Sequence, residues 1–476
     1  MKLWKKKNVL EFGLIVVVLL IGLSSFIFIS IHEREPGYEL LPLLPIFYVL
    51  AASFVLIRSL VYDFKMFNFV FTIISGLRYV ILPFFLVYAD YYGGRSPVSP
   101  TARSYDLALK LMLYELIVVT IVILILDGIR KKKVKRLQPK TIQRSPSIFI
   151  YTVFSIVAVV AVAVVPGALQ SVSFLVPTER IVGVLKTIPL SSALALYMFI
   201  IMKQVITILL MWFFYQKHKV SGKQYFVYLA ALAMVINIGI FAGTNRSDLL
   251  ICASASLAVF RILFPSDFKK IAFLVVAGVG AVIVLIASIR QIASVSGDAS
   301  KLIDFTDTMQ VYLGGPYNVA MAIEMKNMFP EASHWSVLLY DIFRPMIGIN
   351  IFIKDLPIDY SVIYYNERYF FKDHVTQILP MIGQGNLYFG YLFAPLIPIS
   401  VTSLAYYLQA KMERIGSIEI IYFLTLSVSR IGFFMGQNTM NMVNDMSYNL
   451  VLFLLIYFIN RRIVFRQKQR RYLNYD

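Results

Sequence analysis

Cysteine occurs once in these 476 residues, at Cys252, and histidine only four times. One cysteine inside an apolar run excludes an intramolecular disulfide framework and a thiolate metal cluster. No two histidines stand at metal-ligand spacing and the acids are scattered, so no protein-held metal is expected. Charged residues make up only 15% of the chain, well below the share a soluble domain of this size carries. No glycine loop follows a strand in a nucleotide-binding pattern, so this chain is not expected to harvest cytoplasmic ATP, and no cofactor is implied. A repeat of fixed period and a soluble domain are also missing.

What is there is apolar and aromatic. The chain is 59% hydrophobic and 15% aromatic, with a mean hydropathy of +0.74. About twelve apolar runs of roughly 20 residues can be found. They begin near Val9, Leu40, Phe67, Leu107, Ile148, Ile188, Tyr225, Leu249, Ile271, Ile378, Ile418 and Met446. The expected fold class is therefore all-α, a multi-pass membrane protein with about 12 transmembrane helices. The first run follows Lys5, Lys6 and Lys7. It is too long for a signal-peptide core and no small-residue cleavage site follows, so it reads as an uncleaved span. The tenth, from Ile378 to about Gln409, is rich in Gly and Pro and reads as a broken or tilted helix.

The net charge of +19 follows from where the basic residues lie, and no nucleic-acid partner is expected. With the N-terminus in the cytoplasm, both termini and every second loop face inward. Those inner stretches then hold 26 of the 45 Lys and Arg, including the run from Arg130 to Arg136. The short outer loops are poor in them, as the positive-inside rule requires. The run 130–136 serves as a topogenic signal or as a site for anionic lipid. Three regions follow: a membrane domain at 1–289 with about nine spans, a large extracytoplasmic loop at 290–377 with interfacial helices, and a membrane domain at 378–476 with about three spans and a basic tail.

Six basic residues fall within spans. Arg58, Lys110 and Arg261 lie near span ends and can reach an interface. Arg78, Lys203 and Arg430 are deeper, where a charge costs several kcal/mol without a partner or a polar interior. Arg78 and Glu115 lie at similar expected depth, roughly 12–18 Å at 1.5 Å per residue, and can pair. Such a pair either locks two helices or stands beside substrate. Lys203 has no acidic partner evident in the sequence. Arg246, Arg290, Arg344 and Arg430 are all expected near the outer interface. There they either clamp a diphosphate by charge-assisted hydrogen bonds or hold lipid phosphates unspecifically. Arg246 sits in Gly-Thr-Asn-Arg-Ser-Asp at 243–248, a turn that opens a helix and brings backbone N–H groups beside the cation.

The excursion between Arg290 and Gln377 is far longer than an ordinary connection. It holds a Gly-Gly-Pro turn at 314–316, a broken apolar piece from Trp335 to Ile353 with Asp341 and Arg344, and a stretch from Tyr360 to Gln377. The broken piece fits a helix lying in the interface or re-entering the membrane. In the last stretch Tyr364, Tyr365, Glu367, Arg368 and Gln377 suit sugar hydroxyls, although Tyr and Arg are also routine at membrane interfaces. His334 and His374 share this excursion, while His32 and His218 sit in short loops. His374 stands above a polar, glycine-broken span and is either a general base or a loop histidine held by hydrogen bonds.

The layout resembles the Wzy-type polymerases of bacterial O-antigen and capsular polysaccharide. The resemblance rests on about twelve spans, a large outer loop late in the chain, Gly-Thr-Asn-Arg-Ser-Asp opening a span, Gly-Gly-Pro in the loop, and Gly-Asn-Leu-Tyr-Phe-Gly-Tyr at 385–391. The related O-antigen ligases carry a His, a small polar residue, nine positions and then Gly-x-x-Gly/Thr/Tyr. His374, Val375, nine residues and Gly385 to Tyr388 match that spacing, with Val375 in place of the polar residue. The resemblance implies a GT-C-like membrane glycosyltransferase in the bacterial cytoplasmic membrane, with no cofactor. Its donor would be a glycan on undecaprenyl diphosphate and its acceptor the sugar hydroxyl of a new lipid-linked repeat unit. A chain-length regulator and a flippase would be its partners. Catalysis would need positive charge at the departing diphosphate, from Arg246, Arg290, Arg344 and Arg430, and a base, His374. A flippase of lipid-linked oligosaccharide and an O-antigen-type ligase remain the alternatives.

Overall fold

The computed structural model describes residues 2–96, 98–134, 142–145, 147–169, 172–175, 190–242, 246–289, 300–368 and 377–473. The described backbone is overwhelmingly helical, with one two-stranded antiparallel ribbon of β1 (Val172–Phe174) and β2 (Ile240–Ala242). Each of the twelve apolar runs is helical. They form α1 (Lys2–Ile31), α2 (Leu43–Tyr62), α3 (Met66–Tyr88), α4 (Ala102–Val134), α5 (Phe149–Val164), α6 (Leu190–Ser221), α7 (Tyr225–Gly239), α8 (Arg246–Leu263) and α9 (Phe268–Ile289). Two helices of the long excursion follow, α10 (Lys301–Leu313) and α11 (Pro316–Met328), then α12 (Trp335–Phe343). The chain closes with α13 (Met381–Phe393), α14 (Leu396–Arg414), α15 (Ile418–Gly432) and α16 (Thr439–Ile463).

Among the described residues six helices are long and apolar enough to cross a membrane: α1, α2, α3, α4, α6 and α16. They become seven if the bent pair α13–α14 is one span. α1 leaves Val9, Phe12 and Leu20 more than half exposed. Apolar surface of that extent suits lipid, and a water-soluble chain does not expose it. These long apolar helices mark a membrane protein.

α15 is the centre. All its residues from Ile418 to Gly432 are buried, against α3, α8 and α14. Apolar residues line every face, as a fully enclosed helix requires. The hydroxyls of Thr425 and Ser427 donate to the carbonyls of Ile421 and Phe423 one turn back, so neither needs an outside partner.

α3 widens into a π-helical turn at Leu77–Ile81. Pro83, two residues on, has no N–H to donate to the preceding turn, and the wider turn absorbs that missing bond. Arg78 sits in it. α13 and α14 meet at a 109° bend. The apolar run from Ile378 to Gln409 is thus broken, and within α13 Gly390 also leaves helical geometry, with a φ of +75° that is accessible to glycine at no steric cost.

The long excursion folds into the bundle. Ser300 caps α10 by accepting from the Ile303 N–H. Gly314, at φ +60°, stops it, and Pro316 starts α11. α11 then packs along α4 and α13 with Pro316 to Ile323 and Met325 buried. The Gly314 carbonyl accepts from Nε of Arg78 at 3.1 Å. Arg78 lies ten residues before the end of α3, or about 15 Å along the helix. The hairpin turn is therefore inside the bundle, a depth that its Gly-Gly-Pro sequence did not reveal. Its flanks are tied to the segment after α3. Arg95 pairs with Asp307 at 2.7 Å, Gln310 donates to the Gly93 carbonyl at 2.8 Å, and the Ser96 N–H donates to Tyr317 at 2.9 Å. Glu324 caps the start of α4, accepting from the Thr101 N–H and from the hydroxyls of Thr101 and Ser104.

Candidate functional site

The deep charges come first. Arg78 and Glu115, both fully buried, pair at 2.6 Å. The Tyr79 hydroxyl donates to the same carboxylate oxygen at 3.2 Å. With Gly314 also held by Arg78, the pair joins α3, α4 and the α10–α11 turn. Lys203 is buried on α6, and its ammonium donates to the carbonyls of Asn237 and Ile240 at 2.7 and 2.5 Å. Those oxygens are set free where α7 gives way to β2, so the cation caps a helix end. Asn237 in turn donates to the hydroxyls of Ser256 and Tyr422.

Arg430, at the end of α15, ion-pairs with Asp248 of α8 and, at 2.8 Å, with Asp445 of α16. Asp248 lies two residues into the helix that Arg246 opens, so Arg430 does meet the Gly-Thr-Asn-Arg-Ser-Asp turn region. Its charge is already answered by two carboxylates there. Beside it Asn444 donates to the Tyr197 hydroxyl, and Tyr197 stacks on Tyr448 at 4.3 Å.

A second constellation centres on Asp341 of α12. Its carboxylate accepts from the Ser361 N–H at 3.0 Å and from the Ser361 hydroxyl at 2.5 Å. The Gln384 amide at 3.0 Å and the Tyr388 hydroxyl at 2.8 Å complete the set. The Gln384 amide oxygen then accepts from the N–H and hydroxyl of Thr439, the first residue of α16. Four donors gather on a wholly buried acid, yet burial dominates and pushes its carboxyl up to about 6.

Arg344 lies three residues further along, on the same face of the chain as Asp341. Its Nε is buried and has no hydrogen-bond partner, and the residue has no ion pair among the described residues. Tyr360 is near: burial raises its phenol to about 12 although the Arg344 charge acts in the opposite direction. Tyr360 also meets the Tyr340 ring at 4.9 Å.

Tyr364 and Tyr365 are buried rather than open to a ligand. The Tyr365 hydroxyl donates to the Asn318 carbonyl at 3.0 Å, and the Asn318 amide donates to the Ile378 carbonyl at 3.1 Å. Asn366 and Gln377 bond reciprocally through the Gln377 backbone, at 3.0 and 2.9 Å. Gln377 is 2% exposed, and among the described residues neither its side-chain nitrogen nor its side-chain oxygen has a partner. An unsatisfied buried amide costs about 1–3 kcal/mol and calls for a water or ligand to complete it. His374 and Arg290 lie outside the described residues, as do the side chains of Arg246, Glu367 and Arg368.

The structure thus brings Arg78 to Glu115 and Arg430 to the start of α8, and leaves Arg344 and Gln377 with unused donors. Sequence reasoning did not single out Asp341, Ser361, Gln384 and Tyr388 as a group, nor Asp248 and Asp445 as the partners of Arg430. Only the i, i+4 spacing of Gln384 and Tyr388 marks a shared polar face. Comparison with protein-family models, curated proteins and solved structures gives no match.

Proposed function

We propose that this chain is a GT-C-like membrane glycosyltransferase with about 12 spans that polymerises undecaprenyl-diphosphate-linked repeat units at the outer leaflet of the bacterial cytoplasmic membrane. The observation that carries this reading is Arg344: a cation with a buried, unused donor, one turn from the hydrogen-bonded Asp341 carboxylate, on a segment folded into an apolar bundle. A guanidinium so prepared suits a diphosphate oxygen. In the reaction the acceptor hydroxyl oxygen bonds to the anomeric carbon as the bond to the lipid diphosphate breaks. The bonding pair leaves with the diphosphate, whose growing charge Arg344 meets, together with Arg246 and Arg290. The hydroxyl proton passes to His374. Arg430 holds the start of α8 through Asp248, and its role is to position Arg246. Gln377 offers its free amide to a sugar hydroxyl.

The test is elongation of a lipid-linked repeat unit by the purified chain, with no nucleotide sugar and no divalent metal. Elongation by the wild type and its loss in Arg344→Ala and His374→Ala are expected. In cells lacking the protein, single repeat units should reach the surface. Lipid-linked units trapped inside would instead mean a flippase, and polymer that is made but unattached would mean a ligase.

A further inference from the structure

At the end of the bundle where Lys65, Arg130 and Arg414 gather, a groove of about 370 Å³ opens between α4 and α14. That volume lies within the roughly 300–1,000 Å³ of small-ligand clefts. Leu126, Ile129, Arg130, Tyr407, Lys411 and Arg414 line it. We propose that it binds the phosphodiester head group of an anionic membrane lipid. The charges argue for one more anion. Among the described residues, Lys65, Arg130, Lys411 and Arg414 bring four positive charges to this end against three carboxylates, Asp63, Asp127 and Glu413. Lys65 bonds Asp63 and Asp127 at 2.9 and 2.8 Å, and Arg130 bonds Asp63 and Glu413. Tyr406, at the groove wall, donates to Asp127 at 2.7 Å. One monoanionic phosphodiester balances the set.

The donors are also prepared. Nη1 of Arg130 is buried with no partner among the described residues. Lys411 and Arg414 are exposed, and among the described residues neither has an ion pair. The Lys411 ammonium rests 5.3 Å from the Tyr407 ring centroid, which holds it beside the groove. The apolar wall argues for a lipid over free phosphate. Ile129 is 48% exposed and continues into Ile121, Leu124 and Ile125 on the open face of α4, a path for an acyl chain.

The experiment titrates the full chain in neutral detergent with phosphatidylglycerol, phosphatidylcholine and inorganic phosphate, reading bound species by native mass spectrometry. A basic side chain at an anionic lipid surface contributes about fivefold in affinity. With two such side chains, Lys411 and Arg414, the wild type is expected to prefer phosphatidylglycerol over phosphatidylcholine by about 25-fold. Lys411→Gln with Arg414→Gln should cut that preference about tenfold or more, at unchanged melting temperature without lipid. If that pair lowers the lipid-free melting temperature, Lys411→Arg with Arg414→Lys decides: retained preference supports the site, and lost preference overturns it. Equal binding of the two lipids overturns the proposal, as does a preference that survives removal of both charges. Displacement of the lipid by millimolar inorganic phosphate would likewise overturn it, giving the groove to a soluble anion.

Discussion

Arg78→Leu removes the cation that three elements share, and its cost can be worked from the contacts. The substitution leaves the Glu115 carboxylate fully buried with the Tyr79 hydroxyl at 3.2 Å as its remaining side-chain donor. Deleting one partner of a buried pair costs about 3–5 kcal/mol. The Gly314 carbonyl also loses its bond from Nε, worth about 1 kcal/mol. Arg78→Leu should therefore destabilise the protein by about 4–6 kcal/mol, and Glu115→Leu by about 3–5 kcal/mol. The pair is itself imperfect, since Nη2 of Arg78 and Oε1 of Glu115 are buried without partners among the described residues. Removing both charges together should then return to within about 1 kcal/mol of the wild type, since only the Gly314 bond stays lost, giving a coupling of about 6 kcal/mol or more. Equilibrium unfolding of the four proteins in bilayer discs measures the cycle. A double variant as unstable as the sum of the singles, or an Arg78→Leu loss under about 1 kcal/mol, would refute the reasoning.

Gly314→Ala should cost about 2–4 kcal/mol in the same assay, because its φ is +60° and a Cβ would stand 2.5 Å from the Met435 carbonyl oxygen. For Asp341 the folded carboxyl is raised to about 6 from 3.8. Its contribution to stability is complete below about pH 4 and is lost as pH rises through 6, at most about 3 kcal/mol. Asp341→Asn should flatten that slope in melts recorded from pH 4 to 7.5, and an unchanged slope would exclude the group. Orientation is tested by single substitutions against a quiet background, since Cys252 is buried. An impermeant maleimide on intact cells should label Val98→Cys and spare Val220→Cys, both exposed positions. The reverse pattern would invert the topology.

Local pattern determined a good deal. Apolar runs of roughly 20 residues became helices because a backbone away from water must satisfy its own hydrogen bonds, and a helix does so within one segment. Gly and Pro between Ile378 and Gln409 announced a break for the same reason: each weakens or removes a helical bond, and the bend falls between Phe393 and Leu396, just after the non-helical Gly390. Depth along a span also marked Arg78, Glu115, Lys203 and Arg430 as groups that must be compensated.

Which partners compensate them was decided only by the tertiary structure. Asp341 takes its hydrogen bonds from 20, 43 and 47 residues away. The Arg430 pair with Asp248 bridges 182 residues, and the Arg78 bond to the Gly314 carbonyl bridges 236. Helical periodicity reports which face of a segment is apolar, but it carries no information about which distant segment will pack there. The excursion from Arg290 to Gln377 shows the difference most plainly. Its length and polarity marked it as unusual, and its Gly-Gly-Pro marked a turn. That the turn enters the bundle follows from Arg78, because a buried guanidinium needs acceptors and the Gly314 carbonyl supplies one.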